Sequence, residues 1–318
     1  MKIAVLGAGA IGSVFGGFLA KAGHDVTLLG RSWHMDAINS HGLRIEGIWG
    51  EHLITNLKTA DRESMLQSGY ELILITVKSY DTEKMASLSA ELMDDQGIAV
   101  SLQNGLGNRE ILEKEIGRER CALGRVIFGA EITSPGRVRV TVCADDVVLG
   151  PIKGSYPEVS IKKIKSAAAA INESGIPCRY SDDVEKYIWA KVLYNCALNP
   201  LGALLGVDYG SLGDSPYTRK IMDEVIKEIF SVADALGVDL FWTRAEDYIK
   251  EFYDTLLPPT RDHRPSMLQD IERGRRTEID YLNGKIVEYG IRTGVKTPFN
   301  RCIADLVRFL EMKNKKNK

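Results

Sequence analysis

The chain has 318 residues, 44% of them hydrophobic and 26% charged, with a formal net charge of −2. That length suits two domains, each able to bury its own core, and the near-neutral balance gives no electrostatic reason to expect nucleic acid or an anionic membrane as a partner. Five scattered cysteines, Cys121, Cys143, Cys178, Cys196 and Cys302, lack C-x-x-C spacing, so they read as small core residues in a reducing compartment and not as a disulfide framework or a metal site.

No apolar run approaches the roughly 20 residues that a membrane span needs. Lys2 to Leu6 already reads as a strand, not as a leader, and a cytoplasmic protein is expected. That strand runs directly into Gly7-Ala8-Gly9-Ala10-Ile11-Gly12, then into a helical pattern over Ser13 to Ala22 and a second strand over Asp25 to Leu29. A G-x-G-x-x-G between a strand and a helix is the dinucleotide-binding arrangement: Gly7 allows the turn, Gly9 lets a pyrophosphate approach, and Gly12 lets helix and strand pack closely. The free N–H groups of the helix start face the phosphates.

An NAD site usually ends the second strand with Asp or Glu, for the ribose 2′-hydroxyl. Here the strand ends Leu28-Leu29-Gly30-Arg31-Ser32. A guanidinium suits a 2′-phosphate and can stack on adenine, so NADP(H) is expected; otherwise Arg31 is a surface residue of the loop.

Leu43 to Asn56 reads as a short hairpin around Gly47 to Gly50. Glu71 to Val77 is a buried strand ending at Lys78, and Asp81 is placed to cap a helix over Thr82 to Met93. Gly97 to Leu102 is a further strand, running into Gln103-Asn104-Gly105. Lys78 and Asn104 thus fall beyond the carboxyl ends of parallel strands, where ligands bind in open α/β sheets. Asn104 reads equally well as a turn residue before glycine. Cys121 to Glu131, Arg137 to Val142 and Asp146 to Leu149 read as three strands, with a turn at Ser134 to Gly136 that pairs the later ones antiparallel. A helix over Glu158 to Ser174 and a strand over Pro177 to Tyr180 complete an N-terminal domain of residues 1–181.

From Asp182 onward the pattern is helical, giving a second domain over 182–318. Its first helix carries Lys191, Asn195 and Asn199 at i, i+4 and i+8, on one slowly drifting face, and the pattern stops at Pro200. Two poor helix formers beside an amine point to a polar ligand more than to solubility. Further helices are expected over 216–236, 243–256, 278–290 and 298–312, with apolar spacing of three and four. Ser266 is placed to cap a helix over Met267 to Arg273, a role that competes evenly with substrate contact. Glu278 and Asp280 could serve only a helix dipole. Lys313 to Lys318 reads as a frayed tail. The His, Cys and acid residues show no ligand spacing, so no metal is expected. The helical domain could present an apolar face to a second copy, as in a homodimer.

Together these segments resemble the ketopantoate reductase (2-dehydropantoate 2-reductase) family over nearly the whole chain. The resemblance rests on Gly7 to Gly12, Arg31, Lys78, Gln103-Asn104-Gly105, and above all on the run Lys191-x-x-x-Asn195-x-x-x-Asn199-Pro200 followed by Ser266-Met-Leu-Gln-Asp270 and Thr277-Glu278-Ile-Asp280. It implies an α/β fold with an N-terminal Rossmann-type domain and an all-helical C-terminal domain. It also implies NADPH-dependent reduction of 2-dehydropantoate, with Lys191 as general acid and Glu278 beside it at the catalytic centre. Asn195, Asn199 and Ser266 would bind the 2-oxo acid with Asn104. Arg31, Lys78, Asn104, Glu278, the glycine loop and the backbone near Ala130 would hold NADP(H). One position departs: an Asn expected about ten residues after Asn199 is Tyr209, which leaves the particular 2-oxo acid open. A related dehydrogenase for another acid, or a catalytically silent NADPH-binding regulator, are the competing readings.

Overall fold

The computed structural model describes residues 1–316, divided into two compact units. One comprises Met1–Gln103 with Asn108–Tyr187, the other Asn104–Gly107 with the chain from Ile188 onward.

The first unit holds strands β1 (Lys2–Leu6), β2 (Asp25–Leu29), β3 (Leu43–Gly47), β4 (His52–Ile54), β5 (Lys58–Ala60), β6 (Tyr70–Ile75), β7 (Met93–Ser101), β8 (Cys121–Arg125), β9 (Phe128–Ser134), β10 (Arg137–Cys143), β11 (Val147–Gly150) and β12 (Cys178–Tyr180), with helices α1 (Ala10–Lys21), α2 (Ser32–His41), α3 (Thr82–Leu92), α4 (Asn108–Glu115) and α5 (Glu158–Glu173). Eight strands form one sheet in the order β12-β11-β8-β7-β6-β1-β2-β5. The run from β8 to β5 is parallel, whereas β11 lies antiparallel to β8. Ile3 to Leu6 and Ile73 to Ile75 are wholly buried, as strands covered on both faces must be. Because β2 lies on one side of β1 and β6 on the other, strand order reverses at β1. The glycine loop leaves from that switch point, where ligands of such sheets bind.

The remaining strands form a second sheet, β4-β3-β10-β9. The hairpin of β3 and β4 and the antiparallel β9–β10 pair are as the sequence indicates. The single strand expected over Cys121 to Glu131 is in fact two, which belong to different sheets. Both pieces are apolar, so periodicity hides the break. It follows Arg125, which is buried and held 2.6 Å from Asp145, while Phe128 packs on Phe15 of α1 at 5.5 Å. Helices α2 and α4 and strand β5 were not anticipated. Asp81 is the N-cap residue of α3, as expected, but its side chain makes no capping bond; the Thr82 hydroxyl donates to the Ser79 carbonyl at 2.7 Å.

The second unit is helical: α6 (Val184–Leu205, whose first four residues belong to the other unit), α7 (Tyr209–Asp214), α8 (Pro216–Ala235), α9 (Ala245–Glu251), α10 (Ser266–Glu272), α11 (Asn283–Thr293) and α12 (Pro298–Lys316). The helix expected over 243–256 turns π-type from Phe252, and the one over 278–290 begins as a 3-10 turn, Ile279–Tyr281. Helix α12 continues to Lys316, and Asn314 donates to the Ile271 carbonyl at 2.9 Å. The expected tail is therefore ordered helix at Lys313 and Asn314; Asn317 and Lys318 lie outside the described residues. Cys121, Cys178 and Cys196 are buried and all five thiols are free, but Cys302 is exposed, not a core residue. Among the described residues no helix is long and apolar enough to cross a membrane.

Pro200 does not end α6, contrary to the sequence reading. A proline inside a helix has no N–H for the carbonyl four residues earlier, here that of Cys196. The Asn283 amide on α11 supplies the missing donor at 3.1 Å and also donates to Asn300 at 3.0 Å. With that carbonyl satisfied from outside, the helix runs on for another turn.

Candidate active site

In the N-terminal unit the loop Gly7–Gly12 is closed by Thr76, whose hydroxyl donates to the Gly7 carbonyl at 2.9 Å. Gly7 has φ 114°, and a Cβ there would stand 2.5 Å from the Val77 nitrogen; one on Gly12 would collide with the Gly7 carbonyl. By contrast Gly9 is exposed, and a Cβ on it would meet only the Gly7 oxygen, 3.9 Å away. The crowding falls where strand, loop and helix meet and the open place falls where a pyrophosphate would approach, so these residues fit a dinucleotide. Ala8 is buried, Ala10 and Ile11 half-buried, and the first turn of α1 carries no acidic side chain that would repel phosphate.

Arg31 stands exposed just before α2, beside Gly30, which abuts Ala8 of the loop. Lys78 follows Val77 against Gly7. The fold thus gathers the loop, Arg31 and Lys78 at one end of the sheet. Ala130 lies instead on β9, paired with Val140 in the second sheet.

Beneath this cradle is a residue that the sequence did not single out. His34, fully buried on α2, accepts from the Gly136 N–H through Nδ1 at 3.0 Å. Its proton therefore sits on Nε2, 3.1 Å from the Ser13 hydroxyl in the first turn of α1. Burial holds its pKa below the ordinary imidazole value. Because the unfolded chain then binds the proton more readily, this part of the stability is complete above about pH 6.5 and is lost as the pH falls toward the folded-state pKa. His24 and His263 are lowered as well, chiefly by burial, so the wild type should melt at lower temperature at about pH 5 than at about pH 7. His34→Gln should flatten that slope in part; an unchanged slope would show that His34 does not contribute.

In the helical unit Lys191 Nζ donates to Asn104 Oδ1 at 2.6 Å. Asn104 belongs to this unit because the short segment 104–107 is tied to the 3-10 turn, Leu106 N–H donating to the Tyr281 carbonyl at 2.8 Å. The left-handed conformation of that segment is taken by Gly105, φ 81°, not by Asn104. Asn104 thus stands in the bend before a left-handed glycine, without itself being left-handed, and its side-chain oxygen meets Lys191. Glu278, 8% exposed, immediately precedes the same turn, whereas Asp280 is held by Arg308 at 2.7 Å.

One and two turns along α6 from Lys191 come half-buried Asn195 and buried Asn199. Ser266 does not cap α10; its hydroxyl lies 3.5 Å from Asn199 Oδ1. Tyr209, at the start of α7, donates to the same oxygen at 3.0 Å. Sequence reasoning noticed Tyr209 only as a departure; nothing in the spacing indicates that it reaches back ten residues to Asn199. Among the described residues no group of three His, Cys, Asp or Glu side chains is arranged to hold a metal ion.

Residues 3–154 match the family model described as ketopantoate reductase PanE/ApbA, and residues 183–311 match the model of its C-terminal domain. The chain belongs to the ketopantoate reductase family. It is accordingly an oxidoreductase with a Rossmann-type domain and a helical C-terminal region. It is 42% identical to a 2-dehydropantoate 2-reductase of Aquifex aeolicus over 100% of this chain and 99% of that relative. It is 37% identical to one of Pyrococcus horikoshii over 98% of each. Among solved structures, a ketopantoate reductase of this family from Ralstonia eutropha superposes with a TM-score of 0.87 at 34% identity, covering 99% of this chain and 100% of that one. A D-mandelate dehydrogenase in complex with NADH and anilino(oxo)acetate also reaches 0.87, at 29% identity with 99% and 100% coverage. The same fold thus occurs in a D-mandelate dehydrogenase as well as in a ketopantoate reductase.

Proposed function

We propose that the protein reduces 2-dehydropantoate to pantoate with NADPH, a step toward pantothenate and coenzyme A. The functional division would follow the chain, residues 1–181 for the cofactor and 182–318 for the substrate. The observation that carries the reading is the 2.6 Å bond from Lys191 to Asn104 on a helix face shared with Asn195 and Asn199.

The glycine-loop amides of residues 7–12 would take the pyrophosphate, Arg31 the 2′-phosphate, and Lys78 a further cofactor oxygen, with Asn104, Glu278 and the backbone near Ala130 completing the cofactor contacts. The bound nicotinamide supplies the hydride. Lys191 then has two tasks: its ammonium donates to the ketone oxygen, drawing electron density from the carbon, and gives up a proton as that oxygen becomes alkoxide-like. Asn104 fixes the direction of the ammonium, with Glu278 beside it at the catalytic centre. The amides of Asn195 and Asn199 and the hydroxyl of Ser266 orient the carboxylate and hydroxyl of the substrate. Neutral groups suit such a site, since a further buried charge without a partner would be costly.

The test is NADPH oxidation, followed by its absorbance, with 2-dehydropantoate beside other 2-oxo acids and with NADH. Selective turnover of 2-dehydropantoate supports the reading. NADPH binding without turnover of any acid rejects it in favour of a silent binding protein. Arg31→Ala should weaken kcat/KM for NADPH by about 10- to 100-fold, as loss of a charge-assisted phosphate contact does, and leave that for NADH nearly unchanged. Equal losses with both cofactors would remove Arg31 from the 2′-phosphate.

A further inference from the structure

The Asn199 side chain is only 6% exposed, yet it is satisfied at one end alone. Both of its hydrogen bonds end on Oδ1, from the Tyr209 hydroxyl at 3.0 Å and the Ser266 hydroxyl at 3.5 Å. An amide oxygen has two lone pairs and the amide nitrogen two hydrogens. With the oxygen engaged by two hydroxyls, the Nδ2 group is the end left for a ligand.

Tyr209 is well built to hold that orientation. It is 3% exposed, with its ring packed against Tyr194 at 5.9 Å and His263 at 5.1 Å. Tyr194 is in turn fixed by a hydroxyl contact with Thr260 and by Phe252 at 5.7 Å. The phenol thus cannot swing away, and burial raises its pKa, so it remains a donor throughout the working range of the enzyme.

We propose that Tyr209 is a positioning residue that fixes which end of the Asn199 amide meets the substrate. The amide is presented as a donor, and the site accordingly selects 2-oxo acids that place an acceptor oxygen, as a carboxylate does, against Asn199. It cannot accept a hydrogen bond there from a substrate hydroxyl. A side chain in place of Tyr209 that lacks a hydroxyl lets the amide turn over, and the site loses its sense of direction without losing its shape. The proposal rests on the reading of the helical unit as the substrate-binding half.

Tyr209→Phe removes one oxygen and keeps the ring, so the packing with Tyr194 and His263 survives. At saturating NADPH it should raise KM for the 2-oxo acid about tenfold, the equivalent of one hydrogen bond, with kcat and the KM for NADPH within about twofold of wild type. Asn199→Ala should raise the same KM, and adding Tyr209→Phe to it should change nothing more, because the phenol acts only through the amide. An unchanged KM in Tyr209→Phe, or full additivity in the double variant, overturns the proposal. If the wild type turns over no 2-oxo acid, it is the functional reading that fails. The positioning role is then read from the Asn199 side-chain amide in nuclear magnetic resonance spectra. Its two proton signals should shift and broaden in Tyr209→Phe, and identical signals overturn the proposal.

Discussion

Lys191→Ala is expected to lower kcat by about 10²- to 10⁴-fold, the range for removal of a positioned general acid, while NADPH binds as before. The groups that would hold the cofactor phosphates, Arg31, Lys78 and the glycine loop, all belong to the other unit. Lys191 lies on α6 and its ammonium is engaged by Asn104 at 2.6 Å. Cofactor affinity and turnover should therefore separate cleanly when this one residue is changed. Lys191→Arg should rescue little. A guanidinium keeps the charge but holds its proton far too tightly to give it to an alkoxide near neutral pH. Asn104→Ala should give a smaller loss, since the ammonium stays but is no longer aimed. Single-turnover rates beside a fluorescence titration with NADPH measure the two quantities independently. Near-normal turnover in Lys191→Ala would end its assignment as the acid.

The largest expected effect on stability lies elsewhere in the helical unit. Glu228 on α8 is 8% exposed, and its carboxylate accepts from the Phe299 N–H at 2.8 Å, the Asn300 N–H at 3.0 Å and the Asn300 side-chain amide at 2.7 Å. It does for α12 what an N-cap does, from a neighbouring helix: it satisfies the unbonded amides of the first turn and places negative charge at the positive end of the dipole. Glu228→Ala removes the acceptor shared by the two main-chain amides and the Asn300 side chain, which keeps only the Val225 carbonyl at 3.3 Å, and should cost about 3–5 kcal/mol, as loss of one partner from a buried charged network does. Glu228→Gln should cost less, because one oxygen remains. Urea unfolding followed by helical circular dichroism measures both, and a loss below about 1 kcal/mol for Glu228→Ala would mean that water replaces the carboxylate.

The sequence makes the two kinds of contribution legible to different degrees. The glycine loop, the Arg31 position and the face of Lys191, Asn195 and Asn199 are visible because each depends on local spacing: a turn, a strand end, a helical period. The parallel strands are visible because they are buried on both sides. What spacing cannot show is who answers whom across distance. Asn104 is ambiguous until Gly105 is seen to take the left-handed conformation, and Ser266 until its hydroxyl is seen at Asn199 and not at its own helix. The break between Arg125 and Phe128 is hidden because strands of two different sheets carry the same apolar composition. The roles of His34, Glu228 and Asn283 are invisible for the same reason: a lone polar residue in an apolar stretch does not announce its partner.

The turn of α6 between Cys196 and Pro200, which leads up to Asn199, is held at Cys196 by a side chain from α11 and not by the main-chain ladder that holds the turn of Lys191. The two ends of the polar face are thus moored to different things. A change at residue 283, or in the packing under it, re-aims Asn199 relative to Lys191 while touching neither. On the roles proposed for Asn199 and Lys191, the preference of this chain among 2-oxo acids would therefore be adjustable from a residue that never meets the substrate, with the proton donor left in place.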